Sequence, residues 1–268
     1  MTTHLSFGTA SVVAALAIAA FVPSALAQTP EFTLGWTVDN GETETFNWNQ
    51  RDTLNGYGDW PVPHSQKLWT GWNYTGQLRD SGGRWELAWN CVFDVTDGGG
   101  GAFVTGSMVL FNYGLVIQNF SLLMTLPTGF LGPMGDLTER GSIIGTVTDL
   151  TFDDATVFAP IDGRIYTPMI DGVSETPGFL LNDPFQESAG GPLFSHTVGP
   201  ADFGIPTPVD LSQDVDSSIG ILVDFDLTAG DAVSFTVIYE ILPAPAGLPV
   251  LAAFGLVASR KRRRPLGR

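Results

Sequence analysis

Between residues 85 and 94 apolar and polar side chains keep to opposite sides of a repeat of two. Trp85, Leu87, Trp89, Cys91 and Phe93 fall on one side, and Glu86, Ala88, Asn90, Val92 and Asp94 on the other. Such a repeat gathers its apolar members on one face of a strand and scatters them around a helix. The pattern returns near the end of the chain. There Ile219, Ile221, Val223, Phe225 and Leu227 precede Ala229-Gly230-Asp231, and Val233, Phe235, Val237 and Tyr239 follow. This pair predicts a β-hairpin with one face in the core and the other in water.

The intervening sequence reads the same way. Residues 102–113 and 115–126 are rich in Val, Leu, Ile, Phe and Thr, and Gly114 and Pro127 bound them. They suit long paired strands with a tight turn at Gly114. Residues 97–101 carry turn chemistry, as do Asp153-Asp154 and residues 160–163, which separate strands predicted over 142–152 and 164–170. No convincing helical period interrupts them. The Pro- and Gly-dense stretch 176–213 predicts long loops at one end of the fold, where a binding site could sit. Asp-Leu-Thr recurs at Asp136, Asp149 and Asp226, but the unequal spacing points to strand-end chemistry rather than a repeat. Together these features predict an all-β fold, an antiparallel β-sandwich of jelly-roll-like type.

A sandwich needs a core large enough to stand without covalent staples, and a body at 28–240 supplies one. Cys91 is the single cysteine, so no intramolecular disulfide contributes. All 28 acidic residues lie in this body, with only six of the twelve basic ones, for a formal charge of −22. A surface that acidic repels phosphate backbones and anionic headgroups, which excludes nucleic acid as a partner.

Both ends differ from the body. Residues 11–26 are almost wholly apolar and close on Ala25-Leu26-Ala27, with small residues at the −3 and −1 positions of a signal-peptidase site, so 1–27 reads as a signal peptide. Residues 241–268 contain Pro243-Ala244-Pro245, an apolar run at 246–258, and then Arg260, Lys261, Arg262, Arg263 and Arg264. Thirteen helical residues rise about 20 Å against a hydrocarbon core of about 30 Å, which makes a C-terminal hydrophobic helix a marginal permanent anchor. The cationic cluster would stay on the cytoplasmic side and leave the body outside.

This order of Pro-containing motif, apolar segment and terminal arginines resembles the PEP-CTERM sorting signal, with Ala244 standing where the family's motif has Glu. The resemblance covers about the last 25 residues. It implies transient recognition by an exosortase-type membrane protease, after signal peptidase has acted at the other end, and a destination at the cell envelope. An ordinary tail anchor with positive-inside arginines is the alternative reading.

Within the body each candidate site competes with a plainer explanation. Trp36, Trp48, Trp60, Trp69 and Trp72, with Tyr57 and Tyr74, could stack on sugar rings, or could fill a core. His64 and His196 adjoin Ser65 and Ser195, yet neighbours on a strand point to opposite faces and make no dyad. No carboxylate spacing marks a glycosidase pair, and Glu86 suits a solvent-facing position. Asp210, Asp214 and Asp216 offer oxygen ligands for Ca²⁺ but lack the EF-hand's Gly and terminal Glu, and a solvated acidic loop accounts for them as well. Cys91 shares a face with Trp85 and Trp89 and reads as a small buried apolar residue.

Two functions of different class follow. One is a non-enzymatic envelope or extracellular-matrix protein, without catalytic residues or a required cofactor, whose partners would be exopolysaccharide or surface structures and whose tail meets the membrane. The other is a carbohydrate-binding, lectin-like or carbohydrate-active jelly-roll protein, which would show exposed tryptophans along a groove with convergent carboxylates.

Overall fold

The computed structural model describes residues 33–38, 42–47, 64–67, 72–95, 101–129, 131, 134–175, 178–191 and 193–244. The segments expected to form a signal peptide and a C-terminal hydrophobic helix, and the turn expected at 97–101 apart from its last residue, lie outside them.

In chain order the strands are β1 (Thr33–Val38), β2 (Glu42–Asn47), β3 (His64–Lys67), β4 (Trp72–Arg79), β5 (Trp85–Val95), β6 (Ala102–Asn112), β7 (Gln118–Pro127), β8 (Leu137–Thr148) and β9 (Ala155–Phe158). They continue with β10 (Arg164–Ile170), β11 (Val173–Ser174), β12 (Leu180–Asn182), β13 (Gln186–Ala189), β14 (Ser195–Phe203), β15 (Val209–Asp210), β16 (Ser218–Leu227) and β17 (Ala232–Pro243). Among the described residues there is no α-helix, only a 3-10 turn at Met134–Asp136, and no helix long and apolar enough to cross a membrane.

The strands form two antiparallel sheets. One runs β11-β10-β16-β7-β1-β2, with β9, β12 and β13 attached; the other runs β14-β8-β17-β6-β5-β4-β3, with β15 beside β8. They stack face to face, as in a β-sandwich, and rings meet between them: Phe225 with Phe235 at 5.1 Å and Trp36 with Trp85 at 6.4 Å, both edge to face. Pairs of this geometry add about 0.5–1.5 kcal/mol beyond the area they bury. Tyr166, in the first sheet, donates its hydroxyl to the carbonyl of Ile238 in the second at 2.7 Å.

The alternation assigned faces correctly. Trp85, Leu87, Trp89, Cys91 and Phe93 are buried, as are Ile219, Ile221, Val223, Phe225 and Leu227 and, beyond the turn, Val233, Phe235, Val237 and Tyr239. Trp89 finds room because β4 carries Gly76 opposite it, where a Cβ would overlap the indole ring.

The pairing differs from the expected hairpin. β16 bonds to β7 in one sheet and β17 to β6 and β8 in the other, so residues 228–231 arch from sheet to sheet instead of joining neighbours. A period of two is identical in the two cases. In a hairpin the apolar faces lie side by side, whereas in an arch they face each other, which is why Phe225 meets Phe235. The same correction holds for β6 and β7: both are long and paired, but not with each other, and the connection at Gly114 crosses the sandwich.

Two further connections, 149–154 between β8 and β9 and 190–194 between β13 and β14, make arches at the same end. β6 pairs with β17 while β7 pairs with β16, and β8 pairs with β14 while β9 pairs with β13. Each set is thus a two-stranded ribbon folded over one end of the sandwich, termed here the arch end.

The stretch expected as long loops, 176–213, also departs from expectation. It contains β12, β13, β15 and the nine-residue β14. β14 tolerates Pro200 because it lies at the border of its sheet and its register shifts between Val198 and Ala201, where a residue without an N–H breaks no ladder bond.

Candidate functional site

β17 leaves the arch end at Ala232 and, over its twelve residues, reaches the opposite end, the tail end, at Pro243. At about 3.3 Å per residue the two ends lie roughly 35–40 Å apart. β1 starts at the tail end too, since Thr33 sits opposite Thr125, two residues before Pro127, which faces Ser218. The described body therefore begins and finishes on one side.

The expected boundary at residue 240 falls inside a strand. Glu240 pairs with Arg140, both in the ladder and through an ion pair, and pairing runs on to Pro243 against Leu137. Proline is tolerated there because it is the strand's last residue. Ala244 then donates its N–H to the Asp136 carbonyl at 2.8 Å. Two residues of the Pro243-Ala244-Pro245 motif are thus held by the sandwich. Pro245, Arg260, Lys261, Arg262, Arg263 and Arg264 lie outside the described residues, as do Ala25 and Ala27.

Beside this junction two carboxyl groups are buried. Glu139 accepts the Tyr239 hydroxyl on Oε2 at 2.8 Å, while its Oε1 has no hydrogen-bond partner. Burial first, and the nearby Glu175 charge in addition, push its carboxyl up to about 7 against the opposing effect of the Tyr239 hydrogen bond. Glu175 is satisfied by the Ser212 N–H on Oε1 and by Gln213 Nε2 on Oε2.

The expected Ca²⁺ ligands are not brought together. Asp210, Asp214 and Asp216 are exposed, and the only set of three converging carboxylates among the described residues is elsewhere. In this loop the roles reverse: the N–H groups of Asp216, Ser217 and Ser218 and the Ser217 hydroxyl donate to Asp171 at 2.7–2.8 Å. Burial works to raise the Asp171 carboxyl, but these four donors outweigh it and hold it below the usual range.

The other candidates resolve mostly as structure. Trp36 and Tyr74 are in the core, so neither is a sugar platform. Trp48, Tyr57, Trp60 and Trp69 lie outside the described residues, and the structure gives Trp72 a backbone position on β4 only. Ser195 bonds to Thr148 at 2.8 Å and His196 pairs with Glu187 at 3.1 Å, two separate surface contacts rather than a dyad. His64 and Ser65 are placed on β3 by their backbone. Glu86 accepts from Gln77 on the outer face. Cys91 is fully buried against Met124, and burial pushes its thiol up to about 12, far from nucleophilic use.

The arch end holds residues that sequence reasoning passed over. Asn112 is fully buried, and its Nδ2 donates at 3.0 Å to the carbonyls of Val116, Leu227 and Thr228 while Oδ1 accepts the Gly114 N–H. Its side chain binds the β6–β7 arch to the β16–β17 arch. Asp149 and Asp153 of the β8–β9 arch and Asp231 of the β16–β17 arch each place a carboxylate oxygen within 4.8 Å of the other two. Asp149 Oδ1 takes the N–H groups of Thr151 and Phe152, Asp153 Oδ1 the Thr151 hydroxyl, and Asp231 the Leu150 N–H on Oδ1 and the Thr228 hydroxyl on Oδ2. The one available signal was Asp-Leu-Thr: Asp149 and Asp226 lie where β8 and β16 end, and Asp136 lies where β8 begins.

Comparison of the chain with protein-family models and with curated protein sequences gives no match.

Proposed function

We propose that this is an exported cell-envelope or extracellular-matrix protein without enzymatic activity, delivered by a signal peptide removed after Ala27 and then sorted or anchored through its C-terminal segment. The observation that carries the reading is the order of Pro243-Ala244-Pro245, apolar run and arginine cluster, set directly against the end of the last strand. A body that begins and finishes at one end can hang from such a segment with its arch end directed outward. The two folded ribbons support a jelly-roll-like description of the sandwich. A net acidic, outward-facing body suits contact with exopolysaccharide or surface structures, with signal peptidase and an exosortase-type protease as transient partners.

The test is expression in an exosortase-bearing host, with intact mass and cell fractionation of the envelope form. Loss of residues 246–268 is the expected result. Full retention of that segment would overturn protease-dependent sorting and leave a simple tail anchor.

A further inference from the structure

We infer that the arch end carries a Ca²⁺ site formed by Asp149, Asp153 and Asp231, distinct from the acidic loop at 210–216. Three carboxylate oxygens within 4.8 Å of one another fit around one ion, because two ligands on opposite sides of Ca²⁺ at about 2.4 Å are separated by about that distance. Convergence alone would not suffice, since acidic side chains often gather on surfaces. Asp149 is the second observation: it is fully buried, and its Oδ2 has no hydrogen-bond partner. A buried carboxylate oxygen without a donor is costly unless a cation answers it.

The surrounding hydrogen bonds leave the site usable. The donors to Asp149 all fall on Oδ1, and the single donors to each Asp231 oxygen leave further lone pairs on both. The N–H groups of Leu150, Thr151 and Phe152 and the hydroxyls of Thr151 and Thr228 orient the carboxylates, the part played by outer partners around bound metals. Asp153 is exposed and gives the ion a way in. Mg²⁺ keeps most of its water and is held by one or two carboxylates, whereas three converging ones suit Ca²⁺.

The ion would join the β8–β9 arch to the β16–β17 arch, and so one folded ribbon to the other. It does not depend on the tail's fate.

The experiment is calorimetric titration of the full chain with CaCl₂ after EDTA treatment, with thermal unfolding in Ca²⁺, Mg²⁺ and EDTA. The expected result is one Ca²⁺ per chain at a dissociation constant of about 10⁻⁴–10⁻³ M, the range of extracellular modules, and a midpoint several degrees higher in Ca²⁺ than in Mg²⁺. Asp153→Asn, an exposed change, should weaken Ca²⁺ at least about tenfold while leaving the midpoint in EDTA unchanged or higher. No heat and no shift with the wild-type chain at 10 mM Ca²⁺ would overturn the site. So would an Asp153→Asn chain that responds as fully as wild type, which would place the binding elsewhere.

Discussion

At the tail end a buried carboxyl group, Glu139, lies among tyrosines and a second buried acid; at the arch end, buried carboxylates and amides reach from one arch to the next. The first arrangement meets the cost of burial by holding a proton, since the Glu139 carboxyl is pushed up to about 7. The second meets it by bonding: Asn112 to three carbonyls, Asp80 to Arg84, and the Asp149 cluster to the cation proposed above. The difference teaches where the fold is least replaceable. Polar groups at the tail end adjust to strands already aligned by ladders, whereas at the arch end they hold the crossings on which both sheets depend.

The comparison breaks most readily at Asn112. Asn112→Ala orphans the buried Leu227 carbonyl, at about 1–3 kcal/mol, and breaks the three part-buried bonds to Val116, Thr228 and Gly114, at about 0.5–1.5 kcal/mol each, so the loss should reach about 3–5 kcal/mol in urea unfolding. Gln213→Ala removes the corresponding amide at the tail end, a half-buried one bonded to Glu175 and the Ile170 carbonyl, and orphans one buried acceptor, Glu175 Oε2, at about 1–3 kcal/mol. Equal losses in the two variants would remove the distinction between the ends.

Glu139 gives the next largest effect, and it depends on pH. Its folded value of about 7 lies above the 4.5 of the free side chain, so the folded state holds the extra proton between them. The contribution to stability is complete below pH 4.5 and is lost as pH rises through 7. At about 1.4 kcal/mol per pH unit of displacement it amounts to about 3 kcal/mol. Glu139→Gln should match wild type near pH 4 and exceed it by roughly that amount at pH 8.5, as read by urea midpoints at both values. Parallel pH dependence in the two proteins would mean that Glu139 ionises normally in the folded state.

Faces were legible in the sequence and crossings were not. Alternation placed Trp85 through Phe93 and Val233 through Tyr239 in the core because burial follows the period of the strand itself. It could not tell an arch from a hairpin at 228–231, since that choice rests on Asn112 and Thr156, 116 and 72 residues from Thr228, bonding to the turn. The carboxylate cluster escaped for the same reason: Asp149 and Asp153 are local to one loop, but Asp231 joins them only once both ribbons have folded. Asp210, Asp214 and Asp216 were close in sequence and still do not converge, because their loop turns its N–H groups toward Asp171.

The smallest expected effect tests whether bonding at the arch end behaves oppositely to proton-holding at the tail end. Asp80 closes the turn between β4 and β5, beside Asn112's own ladder partner Trp85. Its carboxylate takes the Arg84 guanidinium at 2.7 Å and the Arg84 N–H at 2.9 Å. Side-chain hydrogen bonding to Arg84 is the main reason it is lowered to about 2 from 3.8, against burial. Here the folded state releases its proton more readily than the unfolded one, so the stabilisation is complete above pH 3.8 and is lost as pH falls through 2. Arg84 is 41% exposed along its side chain, and solvent screening reduces the pair to about 1–2 kcal/mol. Arg84→Met keeps much of the stem that packs on the turn and removes the charge. It should therefore cost that amount at pH 6 and almost nothing at pH 2. Wild type and the Glu139→Gln variant would thus diverge as pH rises and wild type and Arg84→Met would converge as it falls, and a loss at Arg84 that does not change with pH would assign the residue to packing alone.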